Sequence, residues 1–143
     1  MGINYNVWLP KLKFTLQTIA ITYPERPNEV SKRKYYDLIQ NLPVFFPLEP
    51  IGKNFLDLLD KYPVTPYLSS RMSFMKWINF IFNKIHEQLE QPVVEFYDSL
   101  EKYYDEYKPK EIRNREIIKT RKRYIQFGGA LVIILGIFYF YKK

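Results

Sequence analysis

The sequence predicts an all-α protein, a small bundle of four or five short helices followed by a C-terminal transmembrane helix. Three observations point to the bundle. Apolar residues recur at three- and four-residue intervals through residues 8–107, period-2 alternation is nowhere sustained, and most of the 10 prolines fall where such helices would end.

The first stripe is Leu9, Leu12, Leu16, Ile19, Ala20 and Tyr23, with Pro10 expected in the first turn and Pro24 and Pro27 ending the helix. Asn28 or Ser31 can cap the second, striped by Tyr35, Leu38, Ile39 and Leu42. Pro43, Pro47, Pro50 and Gly52 then predict a rigid connection. A short helix follows with Phe55, Leu56, Leu59 and Tyr62, closed by Pro63 and Pro66. Ser69 or Ser70 can cap the longest helix of the body, striped by Phe74, Ile78, Ile81, Ile85 and Leu89. After Pro92, the residues Val93, Phe96, Leu100, Tyr103 and Tyr107 predict a fifth helix. Its acidic residues Glu95, Asp98, Glu101, Asp105 and Glu106 mark a solvated face.

Charge divides the chain. Residues 1–107 hold 12 Lys/Arg and 13 Asp/Glu, net −1, whereas residues 108–143 hold 10 and 2, net +8. The overall +7 therefore belongs to the C-terminal quarter. From Tyr124 to Tyr141 there is no charge in 18 residues. As a helix this stretch spans about 27 Å, close to the ~30 Å core of a bilayer. A transmembrane anchor is expected over 124–141, carried by Tyr124, Phe127, Leu131, Val132, Ile133, Ile134, Leu135, Ile137, Phe138, Phe140 and Tyr141, with aromatic rings at both ends. Arg113, Arg115, Lys119, Arg121, Lys122 and Arg123 precede it and are expected to contact anionic lipid. The positive-inside bias places the body on the cytosolic side, as a tail-anchored protein with the basic pair Lys142 and Lys143 after the span. No N-terminal signal peptide is expected, and Met1-Gly2 is a weak myristoylation signal because Asn6 replaces Ser or Thr. The expected organisation is 1–107 helical domain, 108–123 basic linker, 124–141 anchor and 142–143 tail.

Catalytic chemistry is sparse. With no cysteine there is no thiol chemistry, disulfide or Cys-based zinc site, and one histidine, His86, argues against a His-dependent hydrolase or metal centre. No Gly-rich phosphate loop, H-E-x-x-H or G-x-S-x-G occurs.

Three separated segments share the register of known motifs. Trp8-Leu9-Pro10-Lys11-Leu12-Lys13-Phe14-Thr15-Leu16-Gln17, with Ala20, Tyr23 and Pro24, follows W-G-P-x-F-W-x-x-L-H-x-x-A-x-x-Y-P. Pro47-Leu48-Glu49-Pro50-Ile51-Gly52-Lys53-Asn54-Phe55 follows P-C-x-x-C-x-x-H-F. Ser69-Ser70-Arg71, then Trp77, Phe82, Asn83, Ile85, His86, Leu89, Glu90, Gln91 and Pro92, follows S-S-R and W-x-x-x-x-H-N-x-V-N-x-x-L-G-K-P. The chain thus resembles, over residues 5–92, the Erv/ALR family of flavin-linked sulfhydryl oxidases, especially the short forms of large DNA viruses.

The resemblance implies a helical bundle in which a cysteine pair takes electrons beside a flavin. It also implies that every departure falls in that site. Leu48 and Ile51 replace the cysteines, Asn54 a histidine, Lys13 a tryptophan, Gln17 and Phe82 histidines, and His86 an asparagine; Asn83 keeps its identity. Leu and Ile have no thiolate to offer. Phe82 is expected to fill space and His86 to be structural. No FAD or other cofactor is expected.

The expected function is that of a non-catalytic, membrane-anchored structural protein on an inactivated oxidase scaffold. Its expected setting is the virion of a large DNA virus, as a minor capsid protein at the interface of inner membrane and capsid. Capsid components and the bilayer are the expected partners, without nucleic acid, and a homodimer is possible. The alternatives are a residual flavin-binding partner that uses another protein's cysteines, or a tail-anchored organelle adaptor.

Overall fold

A computed structural model describes residues 3–46 and 51–141; at positions 110, 111, 113, 116, 132, 133, 135, 136 and 140 the backbone alone is described. Gly2 and Leu48, both named above, lie outside the described residues, as do the side chains of Arg113, Val132, Ile133, Leu135 and Phe140. The chain divides into two compact units, residues 1–103 and 104–143. Among the described residues there is no strand.

Six α-helices follow one another: α1 Tyr5–Ile21, α2 Glu29–Asn41, α3 Ile51–Lys61, α4 Arg71–Gln88, α5 Phe96–Asp105 and α6 Lys110–Tyr141. Short 3-10 turns at Leu42–Phe45 and Thr65–Ser69 precede α3 and α4. The caps are local chemistry. The Asn28 side chain accepts from the Ser31 amide at 2.8 Å to open α2, and Ser70 accepts from the Ser73 amide at 3.2 Å to open α4. Asn4 opens α1 by accepting from the Asn6 amide at 2.9 Å. The helix therefore starts earlier than expected, and Pro10 lies inside it, where its missing N–H deprives the Asn6 carbonyl of its usual donor.

The core of the first unit gathers Leu9, Leu16 and Ala20 from α1, with Tyr23 just beyond its end, against Phe74, Trp77, Ile78, Ile81, Phe82 and Ile85 from α4. Ile39 from α2, Phe55, Leu58 and Leu59 from α3, and Val64 and Leu68 close it from the sides. Two polar groups carried by these aromatic residues find partners. The Trp77 indole donates to the Tyr62 carbonyl at 3.2 Å, and the Tyr23 hydroxyl donates to the Leu68 carbonyl at 2.8 Å. Arg71 Nε donates to the Tyr23 carbonyl, which ties the start of α4 to the end of α1.

Several expected core positions turn outward. Leu38 and Leu56 are exposed, and Leu58 takes the buried place on α3. Val93 and Tyr107 are exposed as well, because α5 begins at Phe96 and ends at Asp105. Gly52 is the first full turn of α3 rather than part of a connection, and a Cβ there would meet the Pro43 carbonyl oxygen at 3.3 Å.

The end of α4 carries the body's one backbone oddity among the described residues. Glu90 has φ 55°, in the left-handed region. Its amide bonds to the Glu87 carbonyl at 3.2 Å and the Gln91 amide to the His86 carbonyl at 2.8 Å, the paired bonds of a Schellman stop. That position favours glycine, which the L-G-K-P motif holds there and this chain does not.

In the second unit, α6 is one continuous helix of 32 residues, about 48 Å long. The basic segment and the uncharged segment are thus one element. Among the described residues, no helix is long and apolar enough to cross a membrane. The transmembrane helix expected over 124–141, the tail anchor and the membrane localisation built on it are corrected accordingly.

Two substitutions test this packing. Tyr23→Phe keeps the ring and strands the buried Leu68 carbonyl, so it should cost about 1–2 kcal/mol, read as a lower denaturation midpoint. Glu90→Gly should raise stability by about 1 kcal/mol by removing the left-handed strain, again read from equilibrium unfolding.

Candidate functional site

The positions to which the resemblance gives a flavin role lie on three helices. Lys13 and Gln17 are on α1, Ile51 and Asn54 on α3, and Phe82, Asn83 and His86 on α4. Ile51 and Phe82 are buried, Phe82 completely, while Asn54, Asn83, Gln17, Lys13 and His86 are half-buried. Neither Ile51 nor Phe82 has an atom that could exchange a proton or an electron with a substrate.

The α1 and α4 members of the set face the segment that follows Pro92. Asn83 makes a two-way amide clasp with Val94: its Nδ2 donates to the Val94 carbonyl at 2.9 Å and its Oδ1 accepts from the Val94 amide at 3.1 Å. One turn earlier, Asn79 Nδ2 donates to the same carbonyl at 3.0 Å. On the α1 side, Gln17 Nε2 donates to Ser99 Oγ at 3.0 Å. The Thr18 and Tyr103 hydroxyls share a hydrogen bond at 3.0 Å, and the Phe14 and Tyr103 rings stack with centroids 4.9 Å apart. Ser99 and Tyr103 are buried.

A cavity lined by Gln17, Ile21, Met75, Asn79, Phe96 and Leu100 has about 10 Å³ of room. That is space for about one water, against roughly 300 Å³ or more for a pocket that takes an organic ligand of flavin size. Asn79 Oδ1, buried without a protein partner, is the natural acceptor for such a water. A broader, open cleft of about 320 Å³ lies elsewhere, between α2 and the second 3-10 turn, lined by Glu29, Lys32, Arg33, Tyr36, Thr65 and Leu68. None of the resemblance's positions lines it.

Electrostatics at the α1 positions are unfavourable. Burial, with the neighbouring Lys102 charge second, lowers the Lys13 ammonium to about 8. His86 is also held below its ordinary value, by burial first and by the Lys13 charge second, against an opposing hydrogen bond to the Pro92 backbone. His86 Nδ1 is buried without a protein partner. A neutral imidazole so placed is not a poised acid or base, since no nucleophile or carboxylate addresses it in the hydrogen bonds of this site. Among the described residues, no group of three His, Cys, Asp or Glu side chains could hold a metal ion.

Asn79 and Ser99 were not singled out by sequence reasoning, whereas Tyr103 was placed on the apolar stripe of the fifth helix and is buried. Asn79 was legible as the i−4 neighbour of Asn83, on the same helical face. Ser99 had no such signal, because a serine beside an apolar stripe reads as solvated.

Comparison with known proteins agrees with this geometry. A model of the Erv1 / Alr family matches residues 13–120. A probable FAD-linked sulfhydryl oxidase of Acanthamoeba polyphaga mimivirus is 30% identical over 84 residues, 58% of this chain and 59% of its own length. The match therefore spans about three-fifths of that relative. The core of yeast Erv1 superposes with a TM-score of 0.65 at 17% identity, covering 73% of this chain and 87% of that one. The FAD-binding domain of Erv1 from Saccharomyces cerevisiae does so with the same score and identity, covering 73% and 97%.

The Lys13 environment makes a signed prediction. Between pH 8 and 10.5 the unfolded chain holds a proton that the folded chain has released, so stability climbs with pH across that window. Below pH 8 the buried ammonium costs stability in full. Lys13→Met should therefore raise the melting temperature at pH 7 and flatten the rise from pH 8 to 10.5, measured by thermal melts across that range.

Proposed function

The chain belongs to the Erv1 / Alr family, and from that premise we propose that it is a non-catalytic member whose scaffold serves as a protein-interaction module. One observation carries the reading. The family's dithiol chemistry needs two sulfurs, and this chain has no cysteine at any of its 143 positions. The motif's two cysteine positions are Leu48 and Ile51.

The replaced flavin surroundings support the same reading: of the polar side chains at the motif's flavin positions, Gln17 and Asn83 are engaged with residues 94–99. A redox role that borrows a partner's cysteines would still need a bound flavin, and the replaced lining makes that the weaker reading. The kinship with a mimivirus protein supports placing the partner among the structural proteins of a large DNA virus. In that setting the helical body is a structural or interaction component, joined to a strongly basic α6.

The experiment is direct. The purified full chain, given FAD and a dithiol substrate, should consume oxygen no faster than buffer and should retain no flavin after desalting. Flavin-coloured protein that oxidises thiols would overturn the proposal. Cross-linking in infected cells tests the partner. Recovery of this chain bound to capsid components is expected, and recovery bound solely to redox enzymes would contradict the assignment.

A further inference from the structure

The cleft between α2 and the second 3-10 turn takes no part in the site that the resemblance marks, yet it is far roomier than the space beside Asn79, about 320 Å³ against about 10 Å³. Pockets that accept organic groups begin at roughly 300 Å³. We propose that this cleft docks a segment of a partner protein in which a carboxylate stands beside an aromatic or apolar side chain. The inference rests on the interaction-module reading above and names the surface and the partner chemistry for it.

One face of α2 supplies most of the lining. Glu29, Lys32, Arg33 and Tyr36 recur at spacings of three and four, so they share that face. Lys32 Nζ pairs with Glu29 at 2.8 Å, and these two charges cancel. Arg33 is exposed and has no hydrogen bond or ion pair among the described residues. The lining is therefore left with one uncompensated cation. A guanidinium in that state is matched to a carboxylate, which it binds through two parallel N–H···O bonds.

The remaining residues suit what stands next to that carboxylate. The Tyr36 ring is 39% exposed, and no other ring of the described residues packs on it. Leu68, from the 3-10 turn, is buried and gives an apolar floor. Its carbonyl already accepts from the Tyr23 hydroxyl at 2.8 Å, so the floor is held in place and asks no donor of a ligand. Thr65 is exposed in the same lining, and its hydroxyl can donate or accept. Arginine and tyrosine are the residue types on which protein interfaces concentrate their binding energy. A site for a bare anion would need neither the ring nor the leucine. Because the cleft is open, a chain can enter it and continue past.

Titration of the full chain with phenylacetate, a carboxylate beside a ring, tests the proposal through amide chemical shifts. The amides of residues 29–36 and of Thr65, Tyr67 and Leu68 should shift, with the millimolar affinity of so small a ligand. Arg33→Gln should weaken binding at least about tenfold, and so should replacing the probe by the neutral phenylacetamide. Lys34→Gln, exposed on the same helix and outside the lining, should leave binding unchanged. Absence of these shifts at about 20 mM phenylacetate would overturn the docking site. Equal binding by the Arg33→Gln chain, or of the amide, would overturn it as well. Inorganic phosphate that shifts the same amides as strongly would also overturn it, by reducing the cleft to an anion site. None of these results depends on flavin, oxygen uptake or cross-linked partners, so failure here and failure of the non-catalytic reading are told apart.

Discussion

Every part of the body depends on how α1 is held face to face with α4, and Tyr23 is the residue that holds it. Its ring is fully buried, 4.6 Å from Tyr35 of α2 and 5.2 Å from Phe74 of α4 by centroids. Its hydroxyl takes the Leu68 carbonyl and its own carbonyl takes Arg71. One side chain and one peptide group therefore connect α1, α2, the second 3-10 turn and α4. With those ends joined, Leu9 and Leu16 must pack along Ile78, Ile81 and Ile85. The opposite edges of the same two helices, bearing Lys13, Gln17, Asn79 and Asn83, are then fixed as the walls of a groove.

A groove with polar walls at the heart of a bundle is an energetic liability unless something satisfies it. In this chain the satisfaction is internal. Gln17, Thr18, Asn79 and Asn83 all bond within residues 94–103, which leaves Asn79 Oδ1 and His86 Nδ1 buried without a protein partner, the former beside a water-sized space. Burial of Ser99 and Tyr103 makes the segment part of the core of the first unit. The chain has no cysteine, so the two sulfurs of the family's dithiol motif are absent from this scaffold.

Much of the architecture was readable from residue spacing. Phe74, Ile78, Ile81 and Ile85 are all buried as their stripe requires, and Asn28 and Ser70 cap where small polar side chains precede apolar periodicity. Spacing fails where two faces compete. On α3, Leu56 and Leu58 are both apolar, and the pattern alone did not show that Leu58 turns inward. It also predicted a fifth helix at Phe96, Leu100 and Tyr103 without revealing what that helix covers, because a period names a face and not its neighbour. The register of Asn83 with Val94 was not legible at all, since it depends on the chain reversing at Glu90 through a left-handed residue. At the C-terminal end, the uncharged run is expected to be a span, whereas no helix among the described residues is long and apolar enough to cross a membrane; that a basic helix continues into the run is as its pattern predicts.

Lys13 and Glu90 show what the scaffold tolerates. Both stand where the family motif has a residue suited to the backbone or the core, a tryptophan and a glycine, and both are unfavourable in the folded chain. Lys13 keeps a charge in a half-buried place beside Lys102, and Glu90 keeps a Cβ at positive φ. Each cost is on the order of 1 kcal/mol, so together they would matter in a protein only marginally stable. They flank the segment that closes the groove: Lys13 lies one turn from Gln17, and Glu90 makes the turn that delivers Val94 to Asn83. The Val94 clasp, the Ser99 bond and the Tyr103 stack offset both costs, because they form whenever the chain folds.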